Sequence, residues 1–290
     1  MVTLLTAPDA PALAPSQVEA LRNAWSGAET VWLSPDEAAE FAVPLVPAAR
    51  WEVWAELQQK GVDLVIQPAA GRRKRMLLAD MDSTMIRQEC IDELADMAGA
   101  GAEVAAITAR AMNGDLDFEA ALKARLALLR GLGAEAIATV LKERITYTPG
   151  ARTLVATMKA NGGYAALVSG GFTAFTGPVA EALGFDEHRA NTLMVDDGVL
   201  TGAAAEPILG REAKVVALEE ITARLGIADA DVMAVGDGAN DLGMLKRAGA
   251  GVALHAKPVV AAEVDIRINH GDLSALLYIQ GYARTAFVPG

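Results

Sequence analysis

Short apolar runs recur along the chain at 76–80, 164–168, 231–235, 250–254 and 264–268, and helical stretches separate most of them. A continuous apolar run of that length suits a strand buried on both faces. Strands alternating with helices predict an α/β fold on a doubly wound parallel sheet. Leu193 to Leu200 reads differently, because Asp197-Gly198 between apolar arms signals a β-hairpin. From about 90 to 147 the pattern is almost wholly helical, an insertion after the first core strand. Residues 1–71 carry a third pattern: strands at Val2–Leu5, Thr30–Leu33 and Val62–Ile66, with helices at Pro15–Trp25 and Arg50–Gln59. That is a small α+β unit. The chain thus divides into 1–71, a core of 72–89 with 148–290, and the insertion 90–147.

Chemistry enters where the apolar runs stop. Asp80-Met81-Asp82-Ser83-Thr84 closes the first core run. Residues two apart on an extended chain share a side, so Asp80 and Asp82 come together at the strand end. Two close carboxylates resist joint ionisation, and a divalent cation relieves them. They can then divide labour as nucleophile and proton carrier. Alone, the motif is equally a capping Asp and a turn. Ser169-Gly170-Gly171 ends the second run and precedes a helix predicted to begin at Phe172. Its hydroxyl and N–H groups suit a phosphate, although Ser-Gly-Gly is also a common turn. Lys214 falls in the first turn of a helix predicted over Arg211–Leu225, where the helix dipole disfavours a cation. A fixed anion nearby would explain it; a solvated lysine would not need one. Gly236-Asp237-Gly238-Ala239-Asn240-Asp241 follows the third run. The nucleotide-loop spacing G-x-G-x-x-G fails at Asp241, and the acidic loop suits a cation.

Composition narrows the classes. The net charge of −12 argues against nucleic acid as a partner. No run of eighteen apolar residues appears and no basic-then-apolar leader opens the chain, so a cytoplasmic protein off the membrane is expected. The single cysteine, Cys90, allows no internal disulfide and reads as a core residue. His188, His255 and His270 are dispersed and take no catalytic role. Arg72-Arg73-Lys74-Arg75 is the one basic run and reads as a solvated linker.

In order, D-x-D-S-T, S-G-G, a helix lysine and G-D-G-x-N-D resemble the motif set of the haloacid dehalogenase-like phosphatases. The wording V-S-G-G-F and V-G-D-G-A-N-D is similar to the phosphoserine phosphatase branch, from about Leu77 to the C-terminus. The resemblance implies a haloacid dehalogenase-like core, with 90–147 as its helical cap. The N-terminal unit is similar to an ACT-type regulatory domain in architecture alone. Ligand binding, scaffolding and homodimer contact are all open to it.

The resemblance also implies residue roles. Arg125 interrupts the apolar stripe Phe118, Leu122, Leu129 of a helix predicted over Leu116–Arg130. A snorkelling arginine fits that pattern as well. The family pattern instead makes Arg125 a grip for the substrate carboxylate and Glu89 a grip for its ammonium. Met112 and Phe118 match pocket-lining positions. Asp80 is implied as nucleophile and Asp82 as acid and base. Mg²⁺ would sit on Asp80, Asp237 and the Asp82 carbonyl. Ser169, the Gly170 N–H, Lys214 and Asn240 would hold the phosphoryl group, with Asp241 behind Lys214. The implied partner is a small molecule, O-phosphoserine. A broader phosphatase of the same superfamily would not need Glu89 and Arg125 together. A non-enzymatic module phosphorylated on Asp80 would show no turnover.

Overall fold

A computed structural model describes residues 1–112 and 116–290. Four strands come from the N-terminal stretch: β1 (Val2–Thr6), β2 (Val31–Ser34), β3 (Ala38–Phe41) and β4 (Val62–Ile66). They form one antiparallel sheet in the order β2-β3-β1-β4. Helices α1 (Pro15–Ala24) and α2 (Arg50–Gln58) accompany it. Val2, Leu4, Val18, Phe41, Leu57 and Leu64 make its own small core.

The main sheet has six parallel strands: β5 (Met76–Ala79), β6 (Tyr164–Phe172), β7 (Glu187–Asn191), β10 (Val232–Gly236), β11 (Ala250–Leu254) and β12 (Ile266–Ile268). Between β7 and β10 lies the expected hairpin, β8 (Leu193–Asp196) and β9 (Val199–Ala204). The order β12-β11-β10-β5-β6-β7 puts β5 between β10 and β6. Side chains alternate between two cores, as a pleated strand requires. Met76, Leu78, Ala166, Val168, Val232 and Ala234 share one core. Leu77, Ala79, Ala165, Leu167, Met233 and Val235 share the other. Helices cover both faces, so the positions of the central strand β5 and of its neighbour β10 are apolar.

Helices α3 (Cys90–Met97), α4 (Gly101–Met112), α5 (Phe118–Ala127) and α6 (Glu135–Glu143) follow β5; α7 (Ala151–Ala160) leads into β6. The chain leaves and re-enters the core through two paired segments. Arg87 N donates to the Thr146 carbonyl and Thr148 N to that of Met85, both at 3.0 Å. The far side of this helical layer is tied to the hairpin, where Gly131 N donates to Leu200 O at 2.9 Å and Leu200 N to Leu132 O at 2.8 Å.

Beyond β6 come α8 (Thr173–Leu183), α9 (Arg211–Leu225) and α10 (Leu242–Arg247). The helix after Ser-Gly-Gly starts one residue later than expected: Phe172 ends β6 and caps α8. The basic run is not simply solvated. Arg72 forms an ion pair with Glu40 of β3, Lys74 Nζ donates to the Ala230 carbonyl at 2.7 Å, and Arg73 lies over the Tyr282 ring. Cys90 is buried, as read from its type. Among the described residues no helix is long and apolar enough to cross a membrane.

Candidate active site

The four motifs meet at the C-terminal ends of β5, β6 and β10. The strand β5 stops at Ala79, and Asp80 N donates to the Val235 carbonyl at 3.0 Å, which fixes the start of the loop. The chain then winds through a wide turn over Met81–Met85, with Ser83 at φ 55°. The two aspartates therefore do not share one strand face as the spacing predicted. They take different partners and line the same cavity.

Asp80 is met by Lys214, whose Nζ lies 2.6 Å from Asp80 Oδ1 and 2.5 Å from Asp241 Oδ1. The lysine is 2% exposed, so the fixed anionic partners anticipated for it are real. Burial works against its charge, but Asp241 and Asp80 outweigh that and hold its pKa above the usual lysine value. Burial, then the charge of Asp241, push Asp80 well above the ordinary carboxylate range. Asp241 Oδ2 accepts from the backbone N–H groups of Asp237 and Gly238, at 3.1 and 3.0 Å. Gly236 is required for that loop, because a Cβ there would lie 2.4 Å from the Asp241 carboxyl.

Asp80, Asp237 and Asp241 each offer an oxygen within 4.8 Å of the others, a group able to hold a metal ion. Burial and Asp241 raise the pKa of Asp237 to about 7, the strain expected of carboxylates gathered without enough positive charge. The donor set is hard oxygen, which suits Mg²⁺ or Ca²⁺. Asp241 is the weakest candidate ligand, since both its oxygens are already committed. Thr84 Oγ1 donates to Asp237 Oδ1 at 3.1 Å and orients it.

Asp82 lines the same cavity with a different set of partners. Its Oδ1 accepts from Cys90 N at 2.9 Å and its Oδ2 from Ser169 Oγ at 3.3 Å. Burial raises its pKa despite those hydrogen bonds. Ser169 Oγ in turn accepts from Gly171 N at 2.9 Å. A Cβ on Gly171 would fall 2.7 Å from Asp82 Oδ2, so only glycine allows this approach. Ser-Gly-Gly belongs to β6 and not to a turn beyond it. Its ladder with β7 loses register between Val168 and Phe172, which interrupts the hydrogen bonding around Gly170.

The helical layer closes the cavity. Phe118 stands directly over Gly170, where a Cβ would lie 2.7 Å from the ring. Arg125 is 7% exposed and lines the same cavity as Glu89. It is therefore not snorkelling. Burial lowers its pKa, with Glu89, Asp92 and Asp82 opposing. Burial, then Asp82, raise Glu89 well above the usual range. Its Oε1 accepts from Ser83 Oγ at 2.5 Å. The buried amide oxygen of Asn240, also on the cavity, has no hydrogen-bond partner. The side chain of Met112, expected on the wall, lies outside the described residues.

Sequence reasoning missed several participants. Thr84 and Ser83 had been treated as motif letters without a task. Arg211 lines the cavity one turn before Lys214, and its place at the start of the same helix was a usable signal. Asn191 Nδ2 donates to the Gly170 carbonyl at 2.9 Å and holds the Ser-Gly-Gly end of β6 from β7.

A family model described as haloacid dehalogenase-like hydrolase matches residues 77–246. The chain belongs to the haloacid dehalogenase-like hydrolase family. It is 43% identical over 254 residues to a phosphoserine phosphatase of Streptomyces coelicolor, covering 86% of this chain and 62% of that protein. The chain thus spans under two thirds of that relative's length. A solved structure described as a substrate-bound phosphoserine phosphatase complex is 42% identical, with TM-score 0.68 over 71% of this chain and 98% of that one. A hydrolase of this family from Salmonella enterica serovar Typhi is 31% identical, with TM-score 0.84 over 97% of both chains.

Proposed function

We propose that the chain hydrolyses O-phosphoserine to serine and phosphate, the closing reaction of serine biosynthesis, in the cytoplasm. One observation carries the substrate assignment. A buried guanidinium, Arg125, and a carboxylate, Glu89, line the same cavity as the Asp80–Lys214 pair. An amino acid presents one carboxylate and one ammonium, and phosphoserine adds the phosphoryl group on a short arm. Two of the relatives reported above, the Streptomyces coelicolor protein and the substrate-bound complex, are phosphoserine phosphatases and support the same reading.

Asp80 would attack phosphorus as the serine oxygen leaves, giving an aspartyl phosphate. Asp82 would give that oxygen its proton; burial raises its pKa, the direction a proton donor needs. Water would then attack phosphorus, lose its proton to Asp82 and free Asp80 with release of phosphate. Ser169, the Gly170 N–H, Lys214 and Asn240 would hold the phosphoryl oxygens and meet their growing charge. Asp241 would act behind Lys214. Asp80, Asp237 and the Asp82 carbonyl would hold Mg²⁺, which when bound supplies positive charge that keeps Asp80 ionised and polarises a phosphoryl oxygen. Residues 90–147 would move as a cap on the paired linkers near Arg87 and Thr148, excluding water while closed. Phe118 would line its underside. Residues 1–71 would form a unit for which ligand binding, scaffolding and homodimer contact all stay open.

The test is phosphate release from O-phosphoserine with Mg²⁺, with and without a chelator. Turnover that needs the metal and exceeds that of simple aryl phosphates supports the reading. No turnover of phosphoserine beside good turnover of other phosphomonoesters would replace it with a broader phosphatase.

A further inference from the structure

Arg125 is held by neutral oxygens in the resting protein. Among the described residues its guanidinium takes part in no ion pair. Nε donates to the Ala121 carbonyl at 3.2 Å and Nη1 to Thr108 Oγ1 at 3.1 Å. Thr108 Oγ1 itself donates to Asp92 Oδ1 at 2.7 Å. Arg125 stands on α5, Thr108 on α4 and Asp92 on α3, so one chain of bonds crosses three helices. We infer that Thr108 and Asp92 are positioning residues that aim Arg125 at the carboxylate of an amino-acid substrate; this deepens the phosphoserine reading and rests on it.

The chemistry of a hydroxyl explains the order. It has one proton and two lone pairs. Once the proton goes to Asp92, the oxygen can only accept, and the nearest donor is Arg125. Asp92 therefore fixes the polarity of Thr108, and Thr108 fixes the arginine. A carboxylate placed directly on Arg125 would compete with the substrate for the same fork of donors. A hydroxyl between them orients the cation and leaves its remaining N–H groups for the ligand. Holding a long side chain in place before binding also spares the entropy of ordering it later. The same helix start serves the other end of the substrate. Asp92 N donates to the Glu89 carbonyl at 3.0 Å, and Glu89 caps α3. Both grips on the amino-acid moiety thus refer to one short stretch of chain. Thr108 is 4% exposed, so its hydroxyl, the middle of the relay, is shielded from water that would otherwise replace Arg125 as its partner.

The experiment compares Thr108→Val, which keeps the shape and removes the hydroxyl, with Thr108→Ser, which restores it. Three substrates are used: phosphoserine, phosphoethanolamine (no carboxylate) and p-nitrophenyl phosphate (neither group). Thr108→Val should raise KM for phosphoserine about tenfold, the size of one lost orienting hydrogen bond, and leave kcat within about twofold. The other two substrates should be unaffected, and Thr108→Ser should recover the wild-type KM. Asp92→Asn should be milder than Asp92→Ala, because the amide oxygen still accepts the threonine proton. An unchanged KM for phosphoserine in Thr108→Val, or equal losses on all three substrates, overturns the relay while the phosphoserine reading stands. A wild-type protein that fails to turn over phosphoserine overturns both.

Discussion

Lys214 holds its ammonium 2.6 Å from Oδ1 of Asp80, and both groups are almost wholly withdrawn from water. Asp237 and Asp241 share the same pocket of charge. One cation thus stands among three carboxylates when no metal is bound. Two substitutions should then act in opposite directions on stability. Lys214→Met removes the cation that Asp80 and Asp241 both bond, and breaking a buried pair from one side costs about 3–5 kcal/mol. Asp80→Asn removes one of the repelling charges and should cost little stability, or add some, in chelator. Both should lose about three decades of turnover or more, by comparison with single-group deletions elsewhere. Urea denaturation in EDTA reads the first effect. A Lys214→Met midpoint equal to wild type would mean that the carboxylates are neutralised by another route. For Asp80→Asn, turnover within tenfold of wild type would remove it as nucleophile, once mass spectrometry excludes deamidation.

Arg125 supplies the second prediction. If it grips a carboxylate, Arg125→Ala should damage phosphoserine hydrolysis far more than that of p-nitrophenyl phosphate. Loss of a desolvated charged contact costs about 2–5 kcal/mol. The ratio of kcat/KM values for the two substrates is the measurement. Equal losses would assign Arg125 to the framework of the helical layer.

Asp63 supplies the third. It is fully buried on β4, yet its carboxylate serves the core sheet. It accepts from the backbone N–H groups of Asn269, His270 and Gly271 at 3.0, 2.9 and 2.8 Å. These residues follow β12, the edge of the six-stranded sheet. Asp63→Ala would strand three donors at the seam between the two sheets. A loss of about 3 kcal/mol or more is expected, since bonds to a charged acceptor each contribute roughly 1.5–3. Asp63→Asn should also destabilise, because one of its two positions becomes a donor facing donors. An unchanged denaturation midpoint in Asp63→Ala would show that the seam is held by Glu40–Arg72 and its neighbours instead.

The sequence made some of this legible and hid the rest for physical reasons. Central strands such as β5 and β10 were readable because both faces are buried, so every position is apolar. The edge strand β7, Glu187–Asn191, was missed because its residues are polar. Glu187 and Arg189 of that strand bond to Tyr164 and Glu220 at the surface. The strand β3, Ala-Ala-Glu-Phe, was missed because it carries no β-branched residue, although β2 is no longer than it. At the site, Asp80, Lys214 and Asp237 were visible because motif order fixes them relative to strand ends. Asn191, Thr108 and Asp92 were not. Their roles come from helices and strands that meet only after folding, and an isolated Thr or Asn carries no pattern. The reason given for pairing Asp80 with Asp82 also needed the structure, because the chain leaves the strand before Asp82 is reached.

The last prediction separates those two aspartates. Asp82 accepts from Cys90 N and Ser169 Oγ, so its carboxyl is held beside the end of β6, whereas Lys214 bonds Asp80 and Asp241. In the proposed reaction it protonates the serine oxygen and later deprotonates water. Serine is a poor leaving group and needs the acid, whereas p-nitrophenolate leaves without one. In Asp82→Asn, phosphorylation of Asp80 by p-nitrophenyl phosphate should therefore survive better than hydrolysis of the aspartyl phosphate. Mixing enzyme and substrate should release a burst of nitrophenol of roughly one equivalent per site, followed by slow turnover. Acid quench should recover phosphorylated protein, with the label on the peptide that contains Asp80. Phosphoserine, lacking the good leaving group, should give no burst. Should Asp82→Asn turn over phosphoserine at the wild-type rate with no phosphoprotein accumulating, the side chain has no part in proton transfer and serves only to hold the loop through Cys90 and Ser169.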